Sequence, residues 1–408
     1  MKACVLGCSV SGKAACKLLI KVGYDVYGID KKNIKEFPCP VYNEDIDLKG
    51  VDLLVVSSGI RKDHPLVKKA NQLKIEVIGE IELGLRYLKN PCIAVTGTNG
   101  KSTTTKLIGH ILNSCGIDAI CLGNIGIPLC EKVLELKDQI VVLELSSYQI
   151  EWINQKKIDR AVVLNITEDH LDRYKDFSEY ANAKLRLNTW VKEKVWVNKN
   201  ILNQNLSFSK DNIIFFNQEQ MVATLNKLGY ICTVGESNEN VFAAWQMVKS
   251  FVKEKDFIQA AKTFSGLEHR FERLGMVNGS EVFNDSKATN PASTLFALTK
   301  IPKKAVVLLG GEDKGLSFLK LREKKDQISS VICFGKTGKK IAEELSLFNP
   351  QVFPSLEKAA FAAFEKANKE NCILFSPGCA SFDAFKNYRE RGSFFKQLFI
   401  EYKKGKSL

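Results

Sequence analysis

The chain has 408 residues, too many for one ordinary hydrophobic core and enough for two or three domains. With 45% hydrophobic and 26% charged residues and only 10 Pro, its composition excludes a disordered or fibrous protein. A formal net charge of +13 points to anionic partners, whether nucleic acid, lipid headgroups or phosphorylated small molecules. Its lysines are scattered, with no aromatic-interleaved basic stripe, which makes nucleic acid the weakest of these.

The first segment reads as strands at Ala3–Leu6, Val26–Ile29, Leu53–Val56 and Val77–Ile78, separated by amphipathic stretches. That is the rhythm of a parallel sheet with crossover helices. A boundary is expected at Asn90-Pro91, where a strand at Cys92–Val95 begins a longer segment. Further strands are predicted at Ile140–Leu143, Ala161–Leu164 and Val195–Val197, followed by helices over about Val241–Val252 and Phe257–Phe264. The third segment, beyond Gly266, predicts strands at Glu281–Phe283, Ala305–Leu309, Val331–Phe334 and Ile373–Phe375 and a last helix through Phe382–Tyr402. Three α/β units in series, 1–90, 91–266 and 267–408, are the expected architecture.

Twelve cysteines scattered through a long chain without a signal peptide read as reduced thiols rather than a disulfide framework, and their spacing forms no zinc knuckle. No apolar stretch approaches the roughly 20 residues of a membrane span. A cytoplasmic protein beginning near Met1 is expected.

The strongest local signal is Thr96-Gly97-Thr98-Asn99-Gly100-Lys101-Ser102-Thr103, directly after a strand and opening a helix. Small residues there let backbone N–H groups wrap a phosphate at a helix N-terminus, Lys101 neutralises its charge, and a following hydroxyl can hold Mg²⁺. Val95 stands where the usual phosphate-loop pattern has its first Gly, and a glycine turn capping an ordinary helix is the bland alternative. Such a site needs a carboxylate for the metal at a neighbouring strand end, and Glu144 closes the run Ile140–Leu143. His170, one of 4 His, falls in a polar loop after the next strand, a setting that favours a site residue over a packed core histidine.

Gly7-Cys8-Ser9-Val10-Ser11-Gly12 resembles a dinucleotide fingerprint whose middle Gly is Ser, with Asp30 ending the second strand where an acidic group could meet a ribose. Three readings stay open for it: a non-redox nucleotide or diphosphate, NAD(P), or a purely structural turn. Asn284–Pro291, Gly310–Gly315 and Ser376–Ser381 occupy comparable strand ends in the last segment, and together they could line one crevice. Each alone is equally an ordinary βα loop.

Taken together, these motifs resemble the Mur ligase family over nearly the whole chain. The loop Gly97–Ser102 is common to the family, whereas Asp169–Tyr174, Asn284–Asn290 and Ser381–Gly392 resemble its D-glutamate-adding branch. The resemblance implies a Rossmann-like N-terminal domain, a central P-loop-type ATPase domain and a Rossmann-like C-terminal domain. It also implies an ATP-dependent ligase that joins D-glutamate to UDP-N-acetylmuramoyl-L-alanine through an acyl phosphate, acts as a monomer and uses two Mg²⁺ ions. By the same likeness Gly97, Thr98, Asn99, Gly100, Lys101, Ser102, Thr103, Asn240, Arg270 and Asp285 bind ATP, with Lys101, His170, Lys184 and Arg270 catalytic. Ser102, Thr103, Glu144, His170 and Lys184 hold the metals, Lys184 as a carbamate that inverts its charge. Ser11, Gly12, Asp30, Lys31, Lys32, Ser57 and Asn124 face the UDP-linked substrate, and Thr289, Lys314, Ser381 and Tyr388 the incoming D-glutamate. The chain departs from the family's pattern at Ser9, Lys31, Lys32, Ser237 and Tyr388. A folate-extending relative would lack residues 1–90, and a dehydrogenase built on Gly7–Gly12 would leave the phosphate loop unexplained.

Overall fold

Strands β1 (Lys2–Leu6), β2 (Asp25–Ile29), β3 (Val41–Tyr42), β4 (Leu53–Val56) and β5 (Glu76–Gly79) make a first sheet in the order β3-β2-β1-β4-β5, parallel throughout. This is a computed structural model, and it describes residues 1–32, 34, 36–169, 173–201, 212–231 and 237–405. β1 and β4 are near-continuous buried runs, as strands covered on both faces must be. The chain reverses direction across the sheet between β1 and β4, where open α/β sheets leave a crevice for a ligand.

The second sheet holds β6 (Cys92–Thr96), β7 (Ala119–Gly123), β8 (Ile140–Glu144), β9 (Arg160–Val163), β10 (Val195–Asn198) and β11 (Ile213–Phe216), all parallel, in the order β11-β10-β9-β6-β8-β7. The third holds β12 (Glu272–Val277), β13 (Ser280–Asn284), β14 (Lys304–Gly310), β15 (Ile328–Phe334), β16 (Gln351–Phe353) and β17 (Asn371–Gly378), in the order β12-β13-β17-β14-β15-β16. Only β12 runs antiparallel, joined to β13 by a tight turn at Asn278 and Gly279 with φ of 49° and 85°. Two central residues in the left-handed region define the hairpin turn whose twist suits the strands, and Asn-Gly is its favoured pair.

The described chain divides into two compact units, one made of Met1–Ile231 and Asn238–Phe264, the other running from Ser265 onward. In the first unit one apolar core passes through both sheets, with Leu83 and Leu85 of the helix Glu80–Tyr87 packed in the same cluster as Leu129, Cys130 and Val133. Glu82 pins that helix to the second sheet's connections: its buried carboxylate accepts the N–H groups of Asn154 at 2.8 Å and Gln155 at 3.2 Å, and Arg86 Nε at 3.2 Å. Arg173 makes a second tie. Its guanidinium donates to the Gly59 and Ile60 carbonyls at 3.1 and 3.3 Å and stacks 4.0 Å from the Tyr148 ring centroid. In the second unit the apolar layers on either face of the third sheet are separate clusters, one around Phe375, Phe395 and Phe364, the other around Phe283, Phe318 and Leu374.

The final helix begins at Tyr388 and not at Phe382 as the sequence predicts. Asn387 ends the preceding turns by accepting the N–H groups of Arg389 and Glu390, both at 3.0 Å. The helices expected over Val241–Val252 and Phe257–Phe264 run over Asn238–Val248 and Glu254–Lys262. Among the described residues no helix is long and apolar enough to cross a membrane, and the described cysteines are free thiols.

Candidate active site

The phosphate loop follows β6 and opens the helix Lys101–Ser114. Gly100, the residue before the first helical turn, has φ of 83°, and a side chain there would put its Cβ 2.6 Å from Asn240 Oδ1. Only glycine meets both demands, and the tight turn it makes leads into the helix start, where backbone amides favour an anion. Thr98 Oγ lies 3.0 Å from the Tyr180 hydroxyl, and the Thr98 N–H donates to the Asn165 carbonyl at 2.7 Å. Lys101 Nζ curls back over the loop onto the carbonyls of Gly97 and Thr98 at 2.7 and 2.8 Å. Ser102 is buried, Thr103 half-buried, and Asn240 buried behind Gly100.

β8 pairs with β6 so that Glu144 lies opposite Val95, two positions before Gly97. Asn124, in the loop after β7, donates Nδ2 to Glu144 Oε1 at 2.7 Å. Glu144 Oε2 is buried with no hydrogen-bond partner among the described residues. A buried carboxylate oxygen left open beside a phosphate cradle is what a divalent cation would complete. Lys184, on the helix Phe177–Leu185, is 2% exposed. Burial and the nearby Lys101 charge hold its ammonium well below the usual lysine range, against the opposing pull of Asp169 and Glu144. Lys101, Glu144, Asp169 and Lys184 therefore share one electrostatic neighbourhood. His170, expected there too, lies outside the described residues. Among the described residues no group of three His, Cys, Asp or Glu side chains makes a ready metal cage.

At the first sheet's crevice, Ser57 Oγ donates to the Gly7 carbonyl at 2.6 Å and receives Ser11 Oγ at 3.3 Å. Gly12 is obligatory, since an added Cβ would lie 1.9 Å from Gly7 O. Asp30 is committed to the backbone: its carboxylate accepts Cys8 N–H at 2.8 Å and Lys32 N–H at 2.9 Å, which fixes the turn. Lys31 and Lys32 are exposed, Lys31 beside Glu44 at 3.6 Å.

In the second unit Asp285 accepts Ser376 Oγ at 2.9 Å and Phe271 N–H at 3.1 Å. Burial pushes its pKa up to about 6, opposed by those bonds and by the charges of Lys300 and Arg270. Arg270 lies between two residues in the left-handed region, His269 and Phe271. Ser286 Oγ donates to the Tyr388 carbonyl at 2.8 Å, and Lys287 Nζ sits 5.0 Å from the centre of the Tyr388 ring. Ser381 is buried, Thr289 half-buried and Lys314 exposed on the loop after β14. Sequence reasoning missed Arg391, fully buried within the last helix: it donates to the Cys379, Ala380 and Ser286 carbonyls at 3.0, 3.0 and 2.8 Å and to Ser286 Oγ at 3.1 Å. A buried arginine is signalled in the sequence only by an Arg inside an otherwise core-facing helical stripe.

Residues 95–261 match the Mur ligase middle domain, and 269–379 the Mur ligase glutamate ligase domain. A protein of Protochlamydia amoebophila, UDP-N-acetylmuramoylalanine–D-glutamate ligase, is 38% identical over 97% of each chain. The chain belongs to the Mur ligase family. A ligase of the same name from Aquifex aeolicus is 36% identical over 98% of each chain. Among solved Mur ligases, the fold matches UDP-N-acetylmuramate-alanine ligase MurC from Thermotoga maritima with a TM-score of 0.59, at 17% identity over all of both chains. It also matches the MurF ligase of Thermotoga maritima in complex with ADP, with a TM-score of 0.58 at 17% identity over 86% of this chain and 90% of that one.

Proposed function

We propose that the protein is an ATP-dependent ligase that adds D-glutamate to UDP-N-acetylmuramoyl-L-alanine in peptidoglycan precursor synthesis. The observation that carries this is the near full-length likeness to ligases bearing that name, in a chain whose glycine-rich loop opens a helix beside a buried carboxylate with one oxygen left open among the described residues. Three domains divide the work. Residues 1–90 take the UDP moiety through Ser11, Gly12, Asp30, Lys31, Lys32 and Ser57, joined by Asn124. Residues 91–266 take ATP through Gly97–Thr103 and Asn240, and residues 267–408 add Arg270 and Asp285 for ATP and Thr289, Lys314, Ser381 and Tyr388 for D-glutamate.

The substrate carboxylate attacks the ATP γ-phosphorus, ADP leaves, and an acyl phosphate results. The D-glutamate amine then attacks the carbonyl carbon, loses a proton, and the tetrahedral adduct expels phosphate. Phosphoryl transfer needs alignment and charge neutralisation more than covalent help. Lys101 and Arg270 supply cationic charge to the transferring group, and the backbone amides at the helix start fix its position. Ser102, Thr103, Glu144, His170 and Lys184 would hold two Mg²⁺ ions, which when bound neutralise the phosphate oxygens. For Lys184 the fit is chemical: burial shifts the amine toward its neutral form, which can take up CO₂, lose a proton and become a carbamate anion suited to a metal. The proposed protein works in the cytoplasm as a monomer.

Phosphate release measured with ATP and UDP-N-acetylmuramoyl-L-alanine, with and without D-glutamate, tests the reading. Release that requires all three substrates, and is abolished in Lys101→Ala, is expected. Release indifferent to D-glutamate would overturn it.

A further inference from the structure

One carboxylate outside the residues assigned above stands behind the phosphate loop. Glu239, at the start of the helix Asn238–Val248, accepts Asn165 Nδ2 on Oε2 and Asn198 Nδ2 on Oε1, both at 2.7 Å. Asn165 spends both ends of its amide on Asn99. Its Oδ1 accepts the Asn99 N–H at 2.8 Å, and its Nδ2 also donates to the Asn99 carbonyl at 3.2 Å. With Thr98 N–H on the Asn165 carbonyl, two consecutive residues of the phosphate loop are held by one strand-end asparagine.

An asparagine amide can present either end to its surroundings at little cost unless its neighbours choose. Asn99 favours one end, because its N–H faces Oδ1 and its carbonyl faces Nδ2. Glu239 adds a charged group to the same choice at the shorter distance, because a carboxylate only accepts. With the Asn165 amide reversed, Oδ1 would face Glu239 Oε2 while Nδ2 faced the Asn99 N–H, setting acceptor against acceptor and donor against donor. The neighbouring Asn240 presses on the same loop from beneath Gly100, so the first turn of this helix backs two successive loop positions.

We propose that Glu239 is a positioning residue for nucleotide binding: by anchoring the Asn165 amide it holds the Thr98–Asn99 segment, and with it the turn at Gly100 that presents the helix start to phosphate. This rests on the ATP reading above and adds a residue to it. In Glu239→Gln one of the two asparagine amides loses its acceptor and meets an N–H₂ group, so the hold on Asn165 weakens. In Asn165→Asp the new carboxylate faces Glu239. In the double variant the carboxylate at 165 can accept from both Asn99 N–H and the new amide at 239, so part of the loss should return.

Calorimetric titration with Mg-ADP and steady-state kinetics on the full-length wild type and these variants decide the matter. Each single variant is expected to lose about tenfold in ADP affinity, roughly the 1.4 kcal/mol of a decade, and to raise the KM for ATP while leaving those for the UDP-linked substrate and D-glutamate within twofold. The double variant should bind ADP more tightly than Asn165→Asp alone. Asn198→Ser, which removes the other partner of Glu239 and leaves Asn165 in place, should bind ADP nearly as wild type even if it unfolds at lower temperature. Wild-type ADP affinity in Glu239→Gln, or strictly additive losses in the double variant, would overturn the inference. A wild-type protein that takes up no Mg-ADP would sink the nucleotide reading itself, and this inference with it.

Discussion

Asn124 Nδ2 donates to Glu144 Oε1 at 2.7 Å, so the side chain proposed to face the UDP-linked substrate also orients the carboxylate proposed to hold magnesium. The backbone reinforces the pairing, with Asn124 N–H on the Glu144 carbonyl at 2.9 Å. Residues that orient a metal ligand are typically worth 10–100-fold in metal affinity. Asn124→Ala is expected to raise the Mg²⁺ concentration for half-maximal phosphate release roughly tenfold. An unchanged Mg²⁺ requirement alongside a raised KM for the UDP-linked substrate would confine Asn124 to the sugar.

Lys184 is held in a place that costs stability and is proposed to serve chemistry. Between its lowered folded-state pKa and the ordinary value of 10.5, the unfolded chain binds a proton there that the folded chain does not. This group's contribution to stability therefore rises with pH across that window and is unfavourable at neutral pH. Lys184→Met should raise the unfolding temperature at pH 7 in the absence of ligands, while activity drops on the order of a hundredfold or more. In Lys184→Ala a short-chain carboxylic acid should restore part of the activity by standing in for the carbamate. Full activity of Lys184→Ala without additives would remove the carbamate from the mechanism.

Glu80 should give the opposite pH trend. It is 4% exposed, its Oε1 accepts Cys130 N–H at 2.8 Å, and its Oε2 has no partner among the described residues. Burial pushes its pKa up to about 7 from an ordinary 4.5. In that window the folded state holds the proton that the unfolded chain has lost, so stability falls as pH rises, by roughly 3 kcal/mol once pH exceeds the folded value. Glu80→Gln keeps an acceptor for Cys130 and cannot ionise. Its thermal midpoint relative to wild type should climb between pH 5 and pH 8.5, and parallel curves would show that Glu80 does not titrate on unfolding.

What the sequence made legible was local. The stretch Thr96–Lys101 could be placed between strand and helix because glycine, a left-handed Gly100 and a helix start are properties of neighbouring residues. Glu144 was readable as the polar end of an apolar run. β7, Ala119–Gly123, was missed because a five-residue strand with no alternation looks like the tail of the preceding helix. β12 was missed despite its Asn278-Gly279 hairpin signal, because Glu272, Arg273 and Gly275 make a poor strand on propensity alone. Phe382 and Phe385 extended the apolar pattern of the last helix upstream, yet Asn387 caps it at Tyr388. Glu239 and Arg391 were illegible for a different reason. Their partners lie 74 and 105 positions away, at Asn165 and Ser286, and no local period encodes such a pairing.

Arg391 offers the sharpest test of how the second unit shapes its loops. Its guanidinium is fully buried, and desolvation pulls its pKa down to about 10 against the nearby Cys379, Asp383 and Asp285. Four bonds fan from it to Ser286 on one loop and to Cys379 and Ala380 on another. Gly311 lies so close that a Cβ there would sit 3.0 Å from Arg391 Nη1. Lysine keeps the charge and the aliphatic stem but has one nitrogen in place of a rigid fork, so it cannot reach both loops at once. Arg391→Lys should leave buried carbonyls without donors, at about 1–3 kcal/mol each for those that find no water, and loosen the segment bearing Ser381. With Ser381 and Tyr388 proposed at the D-glutamate site, the KM for D-glutamate is expected to rise about tenfold while the ADP affinity stays within twofold. A lower unfolding temperature with an unaltered KM for D-glutamate would leave Arg391 as a fold residue only.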